Sequence, residues 1–150
     1  MRFMDIFNKR REMVTKKNIV DSSVNVIPTG MVEQEFYKWL DQILCNPFSN
    51  NVIAINFNLY EDGNNIWSIE LVGTKSFTPD DSNWACDEVM SFRDKPYTIK
   101  NTDDFKMIED LFTSFLIKYL NNGRYANVLK QYMGIGIGFV DGDLKIIYQK

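Results

Sequence analysis

The chain has 150 residues, of which 45% are hydrophobic and 25% are charged, and its formal net charge is −3. This composition is typical of one folded soluble domain and excludes a disordered chain. The absence of histidine excludes imidazole metal ligands and nucleophile pairs of the Ser-His or Cys-His type. No apolar run approaches the ~20 residues of a membrane span, and the start is too polar for a signal peptide, so we expect a cytoplasmic protein.

Residues 1–17 differ in charge from the rest of the chain. They carry a net charge of +4, whereas the remaining residues carry −7. Apolar side chains precede the Lys/Arg cluster, which predicts a basic amphipathic helix or arm ahead of a single domain at 18–150. We expect this arm to pack on its own domain rather than on a membrane, because so few apolar residues bind lipid weakly. The acidic remainder disfavours nucleic acid and favours a basic protein as partner.

The first predicted helix covers about residues 30–45, where apolar side chains recur every three or four positions. Two alternating stretches follow at 52–60 and 66–73, joined by the turn-rich segment EDGNN. This pattern predicts a β-hairpin with one face in the core and one face in water. The residues predicted to face water on the first strand are Ala54, Asn56, Asn58 and Tyr60.

A third strand is predicted within residues 82–92. A second long helix covers about 102–121, with apolar residues from Phe105 onward at helical spacing, and a shorter helix follows at about 124–132. Asp141-Gly142 separates two strand-like runs, which predicts a closing hairpin with a type I′ turn. The expected fold is a single α+β domain, in which a mainly antiparallel sheet of about five strands packs with two long helices and short flanking helices.

Two motifs near the end of the chain are similar to ligand-binding loops but lack their essential parts. The GIGIG run at 134–138 is followed by a strand, so it lacks the helix N-terminus that binds a pyrophosphate. Its glycines leave one strand face bare, which allows a helix or another protein's backbone to approach closely. Asp141 and Asp143 lie in a DGD turn without the further oxygen ligands of an EF-hand. We therefore expect no cofactor and no metal ion.

The stretch SNWACDEVMSF at 82–92 places Cys86 among a tryptophan and two carboxylates. Neighbouring carboxylates raise the pKa of a thiol, whereas a reactive thiol needs a positive neighbourhood. We therefore interpret Cys86 as a packed side chain. The acids around it, with the tryptophan as an aromatic anchor, form a candidate contact surface for a basic partner. The residues of this predicted surface are Asp80, Asp81, Trp84, Asp87 and Glu88.

The stretches MRFMDIFNKRRE, NWACDEV and GIGIGFVDGDLKIIY resemble small cytosolic immunity proteins that are encoded beside bacterial polymorphic toxins. The resemblance implies a compact α+β domain whose acidic surface plugs a toxin's active site or masks its substrate groove. The acidic body, the missing histidine and the lack of a catalytic constellation favour the same function. The leading hypothesis is a non-enzymatic protein-binding module of the immunity type that occludes a basic active site. Two alternatives stay open. One is a hydrolase that uses carboxylates with a metal or Cys86 as nucleophile, and the other is an adaptor subunit docked through residues 1–17.

Overall fold

The structure is a computed structural model that describes residues 29–150. The predicted arm at 1–17 lies outside the described residues and stays a prediction. The described part contains three helices and six strands. The helices are α1 (Thr29–Leu44), α2 (Phe105–Asn122) and α3 (Ala126–Leu129), and a 3₁₀ helix spans Ser82–Cys86. The strands are β1 (Ala54–Gly63), β2 (Ile66–Thr74), β3 (Glu88–Ser91), β4 (Tyr97–Lys100), β5 (Gly134–Phe139) and β6 (Lys145–Gln149).

The strands form one mixed sheet in the order β3-β2-β1-β5-β6, and β4 also pairs with β2. Four of the five strand pairings are antiparallel, and the pairing of β1 with β5 is parallel. β4 pairs with the first half of β2 and β3 with its second half, so the two short strands follow each other along one edge. The predicted α+β domain with a mainly antiparallel sheet is confirmed.

The two long helices are confirmed, and they pack on the same face of the sheet. Each carries apolar residues at helical spacing, which gives it one stripe that must be buried. Phe36 of α1 contacts two rings of α2, with centroid distances of 5.6 Å to Phe112 and 5.7 Å to Phe115. Asp104 caps α2, because its carboxylate accepts the backbone N–H of Met107 at 2.9 Å. Within residues 29–150, every helix is too short or too polar to cross a bilayer.

The first hairpin is confirmed, but its second face is not in water. Asn56, Asn58 and Tyr60 on β1 and Glu70 on β2 are at most 2% exposed. The prediction assumed that polar side chains on alternate positions are solvated. In the structure these polar side chains form hydrogen bonds with one another instead. Asn58 can reach Glu70 because the two residues lie directly opposite each other in the register of the two strands.

Positive backbone φ angles occur in a different turn from the predicted one. Asn64 and Asn65, which join β1 to β2, have φ angles of 54° and 60°, and asparagine tolerates this region better than most residues. The closing hairpin of β5 and β6 is confirmed, but its predicted type I′ turn is wrong because Gly142 has no positive φ. Residues 140–144 form a longer connection, which does not need the dihedral angles of a two-residue turn.

Asn65 provides a test of the turn between β1 and β2. Replacement by valine is expected to lower the free energy of unfolding by about 1–2 kcal/mol, because a β-branched side chain is strained at positive φ. Asn65→Gly is the matched control and is expected to be neutral or stabilising, since glycine adopts these angles freely. Urea denaturation measures both variants. Equal midpoints for the valine and glycine variants would contradict the assigned turn.

The predicted third strand is confirmed only in its second half. The segment Ser82–Cys86 forms a 3₁₀ helix, and β3 begins at Glu88. The cause is local, because the side chain of Asp81 accepts the backbone N–H of Asn83 at 3.0 Å and so starts a helical turn. The alternation assumed for Trp84 and Cys86 therefore does not apply, and both side chains are buried.

Candidate functional site

The five residues of the predicted contact surface do not lie in one exposed patch. Asp80 and Asp81 are exposed, Asp87 and Glu88 are half-buried, and Trp84 is only 3% exposed. A tryptophan with so little accessible surface cannot contact a partner in this conformation of the loop. It packs inside the domain instead, which corrects its predicted role as an anchor.

Trp84 covers the glycine face of β5. Its ring contacts Phe77 at a centroid distance of 4.9 Å in a T-shaped arrangement. A Cβ added to Gly136 would lie 3.1 Å from the Trp84 ring, and one added to Gly134 would collide with the Phe77 ring. The bare strand face predicted from GIGIG is thus present. Aromatic side chains of the chain's own 75–87 segment cover it at Gly134 and Gly136, and the backbone of Asp143 covers it at Gly138.

Three of the four carboxylates in the predicted surface already have partners. Asp81 caps the 3₁₀ helix, as described above. Asp87 accepts a hydrogen bond from the Ser76 hydroxyl at 2.9 Å and lies 3.7 Å from the Lys75 ammonium. Glu88 accepts a hydrogen bond from a buried arginine, described below. Within residues 29–150, Asp80 is therefore the member of this set that has no such contact.

A buried polar layer crosses β1 and β2 on the sheet face opposite the helices. Asn56 donates from its amide nitrogen to Asn58 Oδ1 at 2.7 Å, and Asn58 donates to Glu70 Oε1 at 3.1 Å. The same carboxylate oxygen accepts the Tyr60 hydroxyl at 2.7 Å. Because a buried polar group costs free energy unless it is paired, these bonds are what allow the strands to hold polar side chains there.

Arg93 completes the layer. Its guanidinium lies 3.3 Å from Glu70 Oε1 and 2.9 Å from Glu88 Oε2. Burial lowers the pKa of Arg93, but the hydrogen bond to Glu88 and the charges of both carboxylates outweigh burial, so the net shift is upward. Burial and the Glu70 charge raise the pKa of Tyr60 well above its ordinary value. Arg93 thus stays charged near neutral pH, and Tyr60 keeps the proton that it donates.

The two cysteines have different surroundings. Cys45 is exposed just after α1, Cys86 is buried in the 3₁₀ helix, and neither forms a disulfide. The predicted packing position of Cys86 is confirmed by its burial. Among residues 29–150, no group of three or more cysteine, aspartate or glutamate side chains is arranged to bind a metal ion.

A second acidic surface surrounds a cleft of about 610 Å³ between the start of α2 and the connection of β5 to β6. Its apolar part consists of Leu59, Phe105 and Phe139. The rings of Phe105 and Phe139 form a T-shaped pair at 6.2 Å. Phe105 is 61% exposed, so one large aromatic side chain is accessible at the wall of this concave surface.

The charges around the cleft are not balanced. The ammonium group of Lys106 lies 3.0 Å from Asp110, and that of Lys145 lies 3.5 Å from Asp110 and 3.8 Å from Glu109. Both lysines of the cleft are thus neutralised by neighbours. Three exposed carboxylates line the cleft without a cation at ion-pair distance in the described part of the chain. These cleft acids are Glu61, Asp141 and Asp143.

The observations above define an α+β domain with a mixed six-stranded sheet, a buried polar layer and two acidic surfaces. No family model matches the chain, and comparisons with curated proteins and with solved structures give no match.

Proposed function

We propose that this protein is a non-enzymatic binding module of the immunity type, which neutralises a basic toxin domain by covering its active site. Residues 29–150 contain 17 acidic side chains and 11 Lys or Arg, a net charge of −6. Six of those cations already pair with carboxylates. The surface charge left for a partner is therefore mainly negative, and such a surface attracts a basic protein over a distance.

One observation carries this proposal: the exposed Phe105 lies beside three carboxylates that have no cation at ion-pair distance among residues 29–150. Protein interfaces combine an apolar centre, often aromatic or methionine, with a polar rim. Phe105 supplies such a centre, and the cleft acids supply the rim. Occlusion needs no reacting group on this chain. It requires only that the acidic surface bind over the partner's active site and exclude the substrate.

The predicted loop surface remains part of the proposal in a reduced form. Asp80 and Asp81 point into solvent, so they can approach a basic partner directly. Asp87 and Glu88 are half-buried and paired within the chain, and they contribute to the local negative potential. Trp84 is buried beneath the loop, where it packs on Phe77 and stabilises the loop.

The proposal predicts that a toxic domain is encoded beside this gene, and co-expression with that domain tests it. Cells that produce that domain alone are expected to stop growing, and cells that also produce this protein are expected to grow. Co-expression of an unrelated acidic protein of similar size is the control, and it is expected to give no protection. Equal killing with and without this protein would contradict the proposed function.

Neutralising Asp80 and Asp81 tests the loop surface. The variant with Asp80→Asn and Asp81→Asn is expected to associate with the toxic domain several-fold more slowly at low salt, because it loses part of the electrostatic attraction. Asparagine at 81 still caps the 3₁₀ helix. The control with Gln34→Lys and Gln42→Lys changes the net charge equally on exposed positions of α1. Stopped-flow mixing measures both rates, and an unchanged rate for the loop variant removes the loop surface from the account.

A further inference from the structure

We propose that the cleft between α2 and the β5–β6 connection is the docking site for a basic segment of the partner protein. One lysine or arginine side chain of that segment lies along Phe105 and Phe139, and its charge meets the cleft acids. This inference rests on the proposed function, to which it adds the place of contact and the chemistry of the occupant.

The apolar part of the cleft suits a long cationic side chain. Lysine and arginine bury their methylene groups along apolar surface and keep the charged end in polar surroundings. Leu59 and Phe139 form the inner apolar surface, and Phe105 forms an exposed aromatic wall. A cation beside an aromatic ring also gains a favourable electrostatic contact.

The charges select a cation over an anion or a neutral group. Glu61 lies near the end of β1, and Asp141 and Asp143 lie on the connection that follows β5, so the carboxylates approach the cleft from two strands. The lysines do not oppose a cation strongly, because Glu109 and Asp110 already pair with them. The four carboxylates and two lysines that line the cleft sum to a charge of −2.

The cleft is large enough for one long side chain and the backbone beside it. Its volume of about 610 Å³ lies within the ~300–1,000 Å³ of ordinary ligand sites. The domain of a second copy, residues 29–150, is disfavoured as occupant because it carries a net charge of −6 and would bring an equally acidic surface to the same place. The net negative charge disfavours nucleic acid for the same reason.

Peptide titration of the full-length ¹⁵N-labelled protein tests the cleft directly. The probe is acetyl-Leu-Arg-Leu-amide, and its matched control is acetyl-Leu-Glu-Leu-amide. The arginine peptide is expected to shift the backbone amides at 105–109 and 140–145 in a saturable manner, and the glutamate peptide is expected to leave them unchanged. Shifts spread over the whole surface, or no shift with the arginine peptide, would overturn the proposal.

Variants then locate the contact. Asp141→Asn combined with Asp143→Asn is expected to weaken binding of the arginine peptide at least fivefold, and Phe105→Ala is expected to do the same. The control with Gln34→Lys and Gln42→Lys, which has the same change of net charge as the double variant, is expected to bind the peptide as the wild type does. Thermal unfolding confirms that each variant is folded. Equal binding by wild type and the cleft variants would overturn the site.

The same amide spectra also test two other possible occupants of the cleft. A concentration-dependent shift of the cleft amides without peptide would assign the cleft to a second copy. A shift caused by Lys9→Gln, Arg10→Gln and Arg11→Gln together, again without peptide, would assign it to the chain's own basic residues. Either result overturns the partner segment as occupant.

Measurement with the toxic domain separates this inference from the proposed function. The double variant of Asp141 and Asp143 is expected to bind that domain at least tenfold more weakly than the wild type. Unchanged affinity would show that the cleft is not the docking site, while the proposed function would stand. Failure of the wild type to bind or neutralise the domain would instead refute the proposed function.

Discussion

Arg93→Met is expected to lower the free energy of unfolding by about 3–5 kcal/mol, because it leaves a buried carboxylate without its cation. Arg93 is 9% exposed and lies between Glu70 and Glu88. Methionine is a long, flexible apolar side chain, so little of the loss comes from an empty cavity. The remaining charge on Glu70, which is fully buried, accounts for most of the expected effect.

Two comparisons isolate the buried charge as the cause. Adding Glu70→Gln to Arg93→Met is expected to recover part of the lost stability, because the site then holds no unpaired charge. Lys75→Met removes an exposed cation that pairs with Asp87, and it is expected to cost less than about 1 kcal/mol. Urea denaturation measures all three proteins. A loss for Arg93→Met no larger than that for Lys75→Met would contradict the account of the buried polar layer.

Gly138→Ala is expected to lower the free energy of unfolding by about 1–3 kcal/mol, through crowding rather than through backbone angles. Gly138 has no positive φ, but a Cβ at this position would collide with the backbone carbonyl oxygen of Asp143. A backbone oxygen cannot rotate away as the end of a side chain can. The connection of β5 to β6, which carries two of the cleft acids, must therefore move.

Gly142→Ala is the matched control for this substitution. A Cβ on Gly142 would have Phe139 at 3.5 Å as its nearest contact, which is ordinary van der Waals distance. The control is therefore expected to change stability by less than about 1 kcal/mol. Thermal unfolding gives the stabilities, and amide spectra are expected to show displaced signals over 139–145 only in the Gly138 variant. Equal stabilities for the two variants would contradict the close approach at Gly138.

The elements with strong periodicity could be predicted from the sequence. The helix predicted over 30–45 is observed as Thr29–Leu44, and the alternating strands at 52–60 and 66–73 are observed with their boundaries shifted by at most three residues. These patterns predict the elements correctly because each helix must bury one stripe and each strand one face. The local spacing of apolar residues reflects that requirement directly.

Predictions from the local sequence pattern were wrong where a short-range hydrogen bond or a turn stabilised a different backbone conformation. The alternation within 82–92 favoured a strand, but the Asp81 side chain bonds to a nearby backbone amide and starts a 3₁₀ helix. The dipeptide at 141–142 favoured a two-residue turn, but the strands end far enough apart for a longer connection. The positive φ angles fell instead on Asn64 and Asn65, which are also turn-forming residues.

The acidic cleft was harder to predict from the sequence than the helices and strands, because the residues that line it are distant in sequence. Glu61 and Asp141 meet at one cleft because β1 pairs in parallel with β5, which places Leu59 opposite Phe139. Nothing in the local sequence specifies that pairing. Phe105 was expected to belong to the buried stripe of the second helix. It is the first residue of α2, directly after the capping Asp104, and at that position its ring lines the cleft.

We propose that this protein acts by binding and not by chemistry, and an inhibition titration is the decisive test. The activity of the purified toxic domain is measured while this protein is added in known amounts, and the mass of the domain is measured afterwards. Occlusion predicts that activity falls in proportion to added protein, reaches its minimum at about one equivalent, and leaves the mass unchanged. Loss of activity at amounts far below one equivalent, or a changed mass of the toxic domain, would contradict the claim.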